Sequence, residues 1–304
     1  MFTIRLSKRI FQGLFALFAY LLLATPVLAQ VRPLYTPGMN ATNSGLLPAP
    51  GFTYMNLFQY YSFDKLKGPG GDTVTDDLDS AIFIDQNIFV YVTKTKLMGA
   101  NVAFNASLPF ANTSISFADQ PVLGLAGYAE TWVQPFQLGW QKERWAINTG
   151  YGFMANTGPA GAGYWGNAWT FGDTFYLTKN KALSFSSFQL LEFHTEDEDT
   201  GITPGTAFNL DYSLMMFYPL QKEEKALMQF GLVGYSQWQV SDDGGSRDRP
   251  ILSQVHYKVN AIGFAVNFIL PPKGASIGMK YYKEFGAEAT VEGQNLQIFG
   301  AVTF

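Results

Sequence analysis

The chain has 304 residues, a formal charge of −4, no cysteine, and more aromatic residues (16%) than charged ones (14%). Soluble domains carry about a quarter charged residues, so this balance points away from an ordinary aqueous surface. The acidic sign, −7 once the positive charges of Arg5, Lys8 and Arg9 are taken from −4, argues against a nucleic-acid partner, and the missing cysteine excludes disulfides, thiolate metal sites and cysteine nucleophiles.

Those three cations precede an apolar run from Ile10 to Leu23 and then Thr25-Pro26-Val27-Leu28-Ala29, the layout of a secretory signal cleaved after Ala29. The run of about 14 residues is short of the ~20 that a membrane-crossing helix needs. The expected organisation is therefore a signal peptide over 1–29, a segment 30–50 and a strand-bearing body over 51–304. Residues 30–50 are rich in Pro, Gly and Asn and lack alternation. They read either as a loose periplasmic leader, since ends are commonly poorly ordered, or as a plug that enters the barrel.

From residue 51 the chain alternates apolar and polar residues in segments bounded by turn residues. Strands are expected near 51–63, 80–93, 97–109, 126–140, 143–155, 165–178, 181–195, 206–218, 226–240, 252–269, 275–286 and 293–304. Each reaches or exceeds the ~9–11 residues of a tilted membrane strand. The fold class expected is all-β: a transmembrane antiparallel β-barrel of about 12 strands. Closure follows from physics, because open sheet edges would leave unpaired amides in hydrocarbon. Twelve strands leave an interior wider than that of an eight-stranded barrel filled by side chains.

Short connections at 94–96, 141–142, 179–180, 219–225 and 270–274 alternate with longer ones at 64–79, 110–125, 156–164, 196–205, 241–251 and 287–292. Barrels of this kind keep short turns periplasmic and long loops outside, so an even strand count sends both chain ends to the periplasm of a bacterial outer membrane. Lys94, Lys96, Lys142, Arg144, Lys179, Lys181, Lys222, Lys225 and Lys273 gather at the short turns, whereas Asp72, Asp76, Asp77, Asp79, Glu196 to Asp199, Asp242 and Asp243 gather in the long loops. The acidic runs read first as solvated charge, and second as divalent-cation sites beside anionic lipopolysaccharide. None has the ligand spacing of an EF-hand, so no metal and no cofactor is assigned.

The last strand places Leu296, Ile298, Val302 and Phe304 on one face, with Gly300 the gap, and Asn295, Gln297, Ala301 and Thr303 on the other beside Phe299. A terminal aromatic resembles the closing strand of outer-membrane barrels, which implies outer-membrane lipids and the barrel-assembly machinery, engaged through Phe304, as partners.

Assigning faces by polarity sends Ile82, Ile84, Ile88, Val90 and Val92 to lipid and Asp85, Asn87, Tyr91 and Thr93, with Phe83 and Phe89, to the lumen. It also sends Trp145, Ile147, Tyr151 and Phe153 outward and Asn148, Gly150 and Gly152 inward. The remaining lumen candidates are Glu192, His194, Asn209, Asp211, Gln237, Gln239, His256, Lys258, Lys280, Tyr282 and Glu284, and a break of pattern near Asn260 to Ile262 marks either a β-bulge or an end of the membrane zone. These groups either pair across strands to satisfy one another, as buried charges must, or orient a solute held against aromatic faces. Trp132, Trp140, Trp145, Trp165, Trp169 and Trp238 read as interfacial girdles.

An enzyme is not expected. Only His194 and His256 supply imidazole, and neither lies in a Ser-His-carboxylate signature; Gly150-Tyr151-Gly152 lies within a strand, not at a phosphate-binding turn.

The segments Val133-Gln134-Pro135-Phe136-Gln137-Leu138-Gly139-Trp140, Gly150-Tyr151-Gly152-Phe153, Gly163-Tyr164-Trp165, Thr203-Pro204-Gly205, Val233-Gly234-Tyr235 and Tyr281 to Glu288 resemble the outer-membrane family named for the MetA pathway of phenol degradation. That family would carry a Gly-x-Gly-Asp run where this chain has Gly127-Tyr128-Ala129-Glu130. The resemblance implies uptake of aromatic or other hydrophobic compounds, in an architecture similar to the long-chain fatty-acid transporters. The function expected is a channel passively admitting small hydrophobic solutes. The alternatives are a non-transporting structural or surface-binding barrel and, less favoured, a membrane lipase.

Overall fold

The computed structural model describes residues 32–221, 225–246 and 254–304, so the signal-peptide segment lies outside the described residues. Alternation becomes strands β1 (Gly51–Lys67), β2 (Thr73–Thr75), β3 (Leu78–Leu97), β4 (Ala100–Phe117), β5 (Gln120–Tyr128), β6 (Thr131–Gln141), β7 (Trp145–Ala155), β8 (Gly166–Tyr176), β9 (Leu183–His194), β10 (Ala207–Pro219), β11 (Leu227–Gln239), β12 (Lys258–Leu270), β13 (Ala275–Glu288) and β14 (Val291–Thr303). Twelve of them form the wall; β2 and β5 are side additions to β1 and β4. All pairs are antiparallel, and β14 returns to β1 from Thr53↔Thr303 to Leu66↔Val291. That seam leaves no open edge, as hydrocarbon requires.

The wall is inside-out relative to a soluble protein. Phe52, Phe58, Phe104, Trp169, Phe171, Leu214, Leu232, Phe264, Ile277 and Ile298 are exposed outside, whereas Gln59, Asn148, Glu192, Asn209, Asp211, Gln229, Lys280, Glu284, Asn295 and Gln297 are buried within. So continuous an apolar exterior fits lipid, not water. The strand–turn ledger changes in three places. Lys94-Thr95-Lys96 belongs to β3 and the chain reverses at Met98-Gly99; residues 110–125 are not a loop but the β4–β5 hairpin, which turns at Ala118 and Asp119, both with positive φ (47 and 60°); and 287–292 contracts to a turn at Ala289-Thr290. Extending these strands satisfies backbone groups beyond the apolar belt that a loop would leave to solvent.

Gly51 and Phe304 meet at the short-turn end, where the Phe304 amide donates to the Phe52 carbonyl (2.8 Å) and the two rings stack at 6.2 Å. Arg32 does not sit with them. Its Nη2 donates to the Val291 carbonyl (2.6 Å) and its Nε to Thr290 Oγ1 (3.2 Å), at the long-loop end. Residues 32–50 therefore descend the length of the barrel interior before β1 begins.

Candidate functional site

That descent is fixed by side chains from strands far apart in sequence. Glu192 on β9 accepts the backbone amides of Leu34 (2.8 Å) and Tyr35 (3.2 Å). Asp211 on β10 accepts the Tyr35 hydroxyl (2.5 Å) and the amides of Gly38 (2.9 Å) and Asn40 (3.0 Å). Lys280 on β13 donates to the carbonyls of Gly38 (2.8 Å) and Met39 (2.6 Å), and the Tyr282 hydroxyl also donates to Gly38 (2.9 Å). Glu284 holds Arg32 through both oxygens, at 2.8 and 3.2 Å, while accepting Tyr61, Tyr235 and the Gly293 amide. Lower down, Asn148 donates to the Ser44 carbonyl, Thr174 accepts the Gly45 amide, and Asn43 exchanges two hydrogen bonds with Gln229.

Apolar contacts follow the same path. Tyr35 joins Met154, Ala168, Phe188 and Leu190, with Leu34, Met39 and Trp132 against them. Ala41 enters the cluster of Met215, Val233, Tyr235 and Tyr282, and Leu47 packs on Val90, Val92 and Ala103. Glu192, Asp211, Lys280 and Glu284, the buried lumen-side carboxylates and lysine among the described residues, thus bind the segment more than each other. Glu192, Asp211 and Lys280 satisfy backbone groups that an unplugged lumen would leave to water, and a buried charge without such partners costs several kcal/mol.

The lumen candidates divide accordingly. Asn148, Glu192, His194, Asn209, Asp211, Gln237, Lys280, Tyr282 and Glu284 face inward; all but Asn209 and Gln237, which bond each other at 2.7 Å, and His194 touch the segment directly. Asp85, Asn87 and Tyr91 do not face inward. β3 is inverted relative to the polarity reading: Gln59 of β1 pairs with Ile84, so Ile84, Gln86, Ile88, Val90 and Val92 line the lumen and Phe83, Asp85, Asn87, Phe89 and Tyr91 face out. The cause is the segment, which covers this face: Leu47 lies on the Val90–Val92 patch, and Gln86, the one polar residue among the inward positions 84–92 of β3, donates to Thr36 Oγ1 at 2.5 Å.

His256 and Lys258 are likewise not in the lumen. His256 precedes β12 and bonds Asp242 at 2.8 Å; Lys258 sits on the outer rim with Glu288 at 2.6 Å. Alternation along β12 is unbroken, the register shift lying against β13 at Lys258/Asn260. Trp132 departs from the girdle reading, since it turns inward, donating to Asn105 Oδ1 at 2.7 Å and lying where a Gly152 Cβ would be.

His194 places Nε2 on Glu192 (2.8 Å) and Nδ1 on the carbonyls of Pro204 and Gly205 (3.1 Å each). Every partner is an oxygen that can accept, so the imidazole is held from both sides by groups to which a ring N–H donates. At the mouth, Glu130 accepts the Ala162 amide and Asp243 accepts Gly205 and Gln239 at 2.7 and 2.8 Å; burial raises both carboxyls above their ordinary range.

A barrel of this shape and sequence has known relatives. The family described as "Putative MetA-pathway of phenol degradation" matches residues 63–298. The chain belongs to that family. Among solved structures, the COG4313 outer membrane channel from Pseudomonas putida F1 is similar at a TM-score of 0.68 and 14% identity, covering 89% of this chain and 100% of that one. The β domain of the Bordetella autotransporter BrkA follows at 0.50 and 10%, covering 84% and 100%, and a Pseudomonas aeruginosa FadL homologue at 0.42 and 10%, covering 91% and 100%. No curated protein sequence matches. The fold of this MetA-pathway family member is thus that of an outer-membrane barrel.

Proposed function

We propose that this family member is an outer-membrane channel for small hydrophobic compounds, aromatic ones among them, and that residues 32–50 are its closed gate. One observation carries the reading: Glu192, Asp211, Lys280 and Glu284, from three strands of the wall, each make at least two hydrogen bonds to the segment. A wall built only for stability would pair those charges across strands. The family's description and the COG4313 structure's designation as a channel support the same direction. In this reading the short-turn end faces the periplasm, and the acidic long loops face lipopolysaccharide.

With the segment displaced, a solute would meet the aromatic faces of Tyr235, Tyr282 and Phe188 beside Asn209, Gln237, Asn295 and Gln297, each of which has a buried polar atom with no protein partner. Such a mixture suits an apolar body with one polar handle.

A second reading, a non-transporting barrel, is favoured by the filled lumen. Deleting residues 32–50 behind the export signal separates them. A channel gives small or absent conductance in planar bilayers as the full chain, then stable conductance and flux of a phenolic probe into liposomes after deletion. A deleted barrel that is folded, by its shift on unheated gels, yet passes neither ions nor probe would remove the channel.

A further inference from the structure

The outer wall of a membrane barrel is apolar because each unpaired polar group in hydrocarbon costs several kcal/mol, and an ionisable side chain there marks a function or a partner. Two carboxylates break this rule. Asp173 on β8 is covered by its own neighbour strand: Ser187 and Gln189 of β9 both donate to Oδ2, and Asp173 is buried, its Oδ1 without a partner among the described residues but shut away from the exterior. Asp85 on β3 is not covered in that way.

Asp85 lies with Tyr54, Asn56 and Asn87 on the outward face of the β1–β3 pair, all four half-buried. Asn56 Nδ2 donates to Asp85 Oδ1 at 2.6 Å, and the Tyr54 hydroxyl donates to Asn87 Oδ1 at 2.7 Å. No other hydrogen bond reaches the carboxylate, and the Asn87 amide donates to nothing among the described residues. The cluster is inside the apolar belt. Phe58 and Phe110 stand opposite Asp85, Leu108 stands opposite Asn87, and Phe83 and Phe89 bracket the pair along the strand. Gly300, opposite Asn56 on β14, adds no side chain to shield it.

We propose that this face is an interface with a second copy of the chain, related by a twofold axis along the membrane normal. Acyl chains at this depth offer no donor. A carboxylate with a free oxygen beside amides that both donate and accept is self-complementary, as a twofold contact demands. The carboxylate and amide carbonyls of one copy meet the amide donors of the other, and Phe58, Phe83, Phe110 and Leu108 form an apolar surround.

Because the chain has no cysteine, a single introduced one reports only contacts between copies. Leu108→Cys, beside Asn87, is expected to form a disulfide-linked dimer in oxidised outer membranes, at least tenfold above Leu232→Cys, an exposed outward position on β11. Adding Asp85→Leu and Asn87→Leu to Leu108→Cys is expected to lower that yield at least tenfold while the barrel keeps its folded mobility on unheated gels. Equal cross-linking at positions 108 and 232, or a yield indifferent to the leucine changes, would overturn the interface. So would a monomeric mass for the unmodified protein in both mild detergent and lipid nanodiscs.

Discussion

Arg32 and Glu284 meet inside the lumen as a two-pronged ion pair, Nη1 on Oε1 at 2.8 Å and Nη2 on Oε2 at 3.2 Å, with the carboxylate fully buried. The pair joins the first described residue to a strand 252 positions later, so it latches the top of the segment to the wall.

Removing the cation should release that latch. Breaking a buried pair from one side costs roughly 3–5 kcal/mol, but Glu284 keeps Tyr61, Tyr235 and Gly293 as donors. The expected cost of Arg32→Ala is therefore lower, about 1–3 kcal/mol of segment docking. Hydrogen exchange at residues 33–40 should accelerate tenfold or more while exchange in β7 to β9 stays unchanged; equal protection in the variant would refute the latch.

Asp211 and Lys280 grip the middle of the segment from adjacent sides, one taking amides of Gly38 and Asn40, the other giving to the carbonyls of Gly38 and Met39. Asp211→Asn leaves one acceptor oxygen for three donors, and Lys280→Met orphans the Met39 carbonyl at 2.6 Å and takes the 2.8 Å donor from the Gly38 carbonyl, which keeps the Tyr282 hydroxyl. Each lost hydrogen bond to a charged group is worth about 1.5–3 kcal/mol. Either variant should raise single-channel open probability in bilayers, and the double variant should exceed both. A double variant as silent as the parent protein would place the gate elsewhere.

The strands were legible in sequence because each combines a lipid face and a wet face, so alternation survives at almost any position. β7 is the clean case, with Trp145, Ile147, Tyr151 and Phe153 out and Asn148 in. β3 shows where polarity misleads: its inward Val90 and Val92 serve Leu47, and its outward Asp85 and Asn87 bond Asn56 and Tyr54, so both faces reverse the usual sign. The course of residues 32–50 had no local signal, since the wall groups that bond it lie 50 to 260 residues away. The carboxylates and Lys280 were readable as lumen groups, but not what they hold.

The mouth should loosen as pH rises. Burial raises the Asp243 carboxyl, opposed by the Gly205 amide, Gln239, His256 and His194. With its folded value above the ordinary one of ~3.9, the folded state binds more protons between the two. The anchor between 241–246 and Gly205 is therefore firmest below the ordinary value and weakens as pH climbs through the raised one. Corrected for intrinsic rates, protection of the Gly205 amide should fall with rising pH in the native chain. It should stay level in Asp243→Asn, which keeps an acceptor without titrating. A level profile in both would contradict the burial argument.

Two glycines of the segment differ in what surrounds them, and so should their alanine variants. Gly38 has φ +78° and a Cβ there would fall 2.6 Å from the Tyr282 ring, whereas a Cβ on Gly45 would fall 2.2 Å from the Ala146 carbonyl and 2.6 Å from the Thr174 amide. A tyrosine can swing at the expense of its hydrogen bond to Gly38, but strand backbone cannot move without breaking the β7–β8 ladder. Gly45→Ala should then expel the lower segment outright and raise probe flux, leaving barrel melting little changed because the wall contributes its own ladder. Gly38→Ala should give a smaller rise, roughly the 1–2 kcal/mol expected for a non-glycine residue forced into left-handed backbone plus the lost tyrosine contact. Liposome flux of both variants beside the parent protein orders the three; a larger effect at position 38 than at 45 would mean that the segment yields at its top and not at its floor.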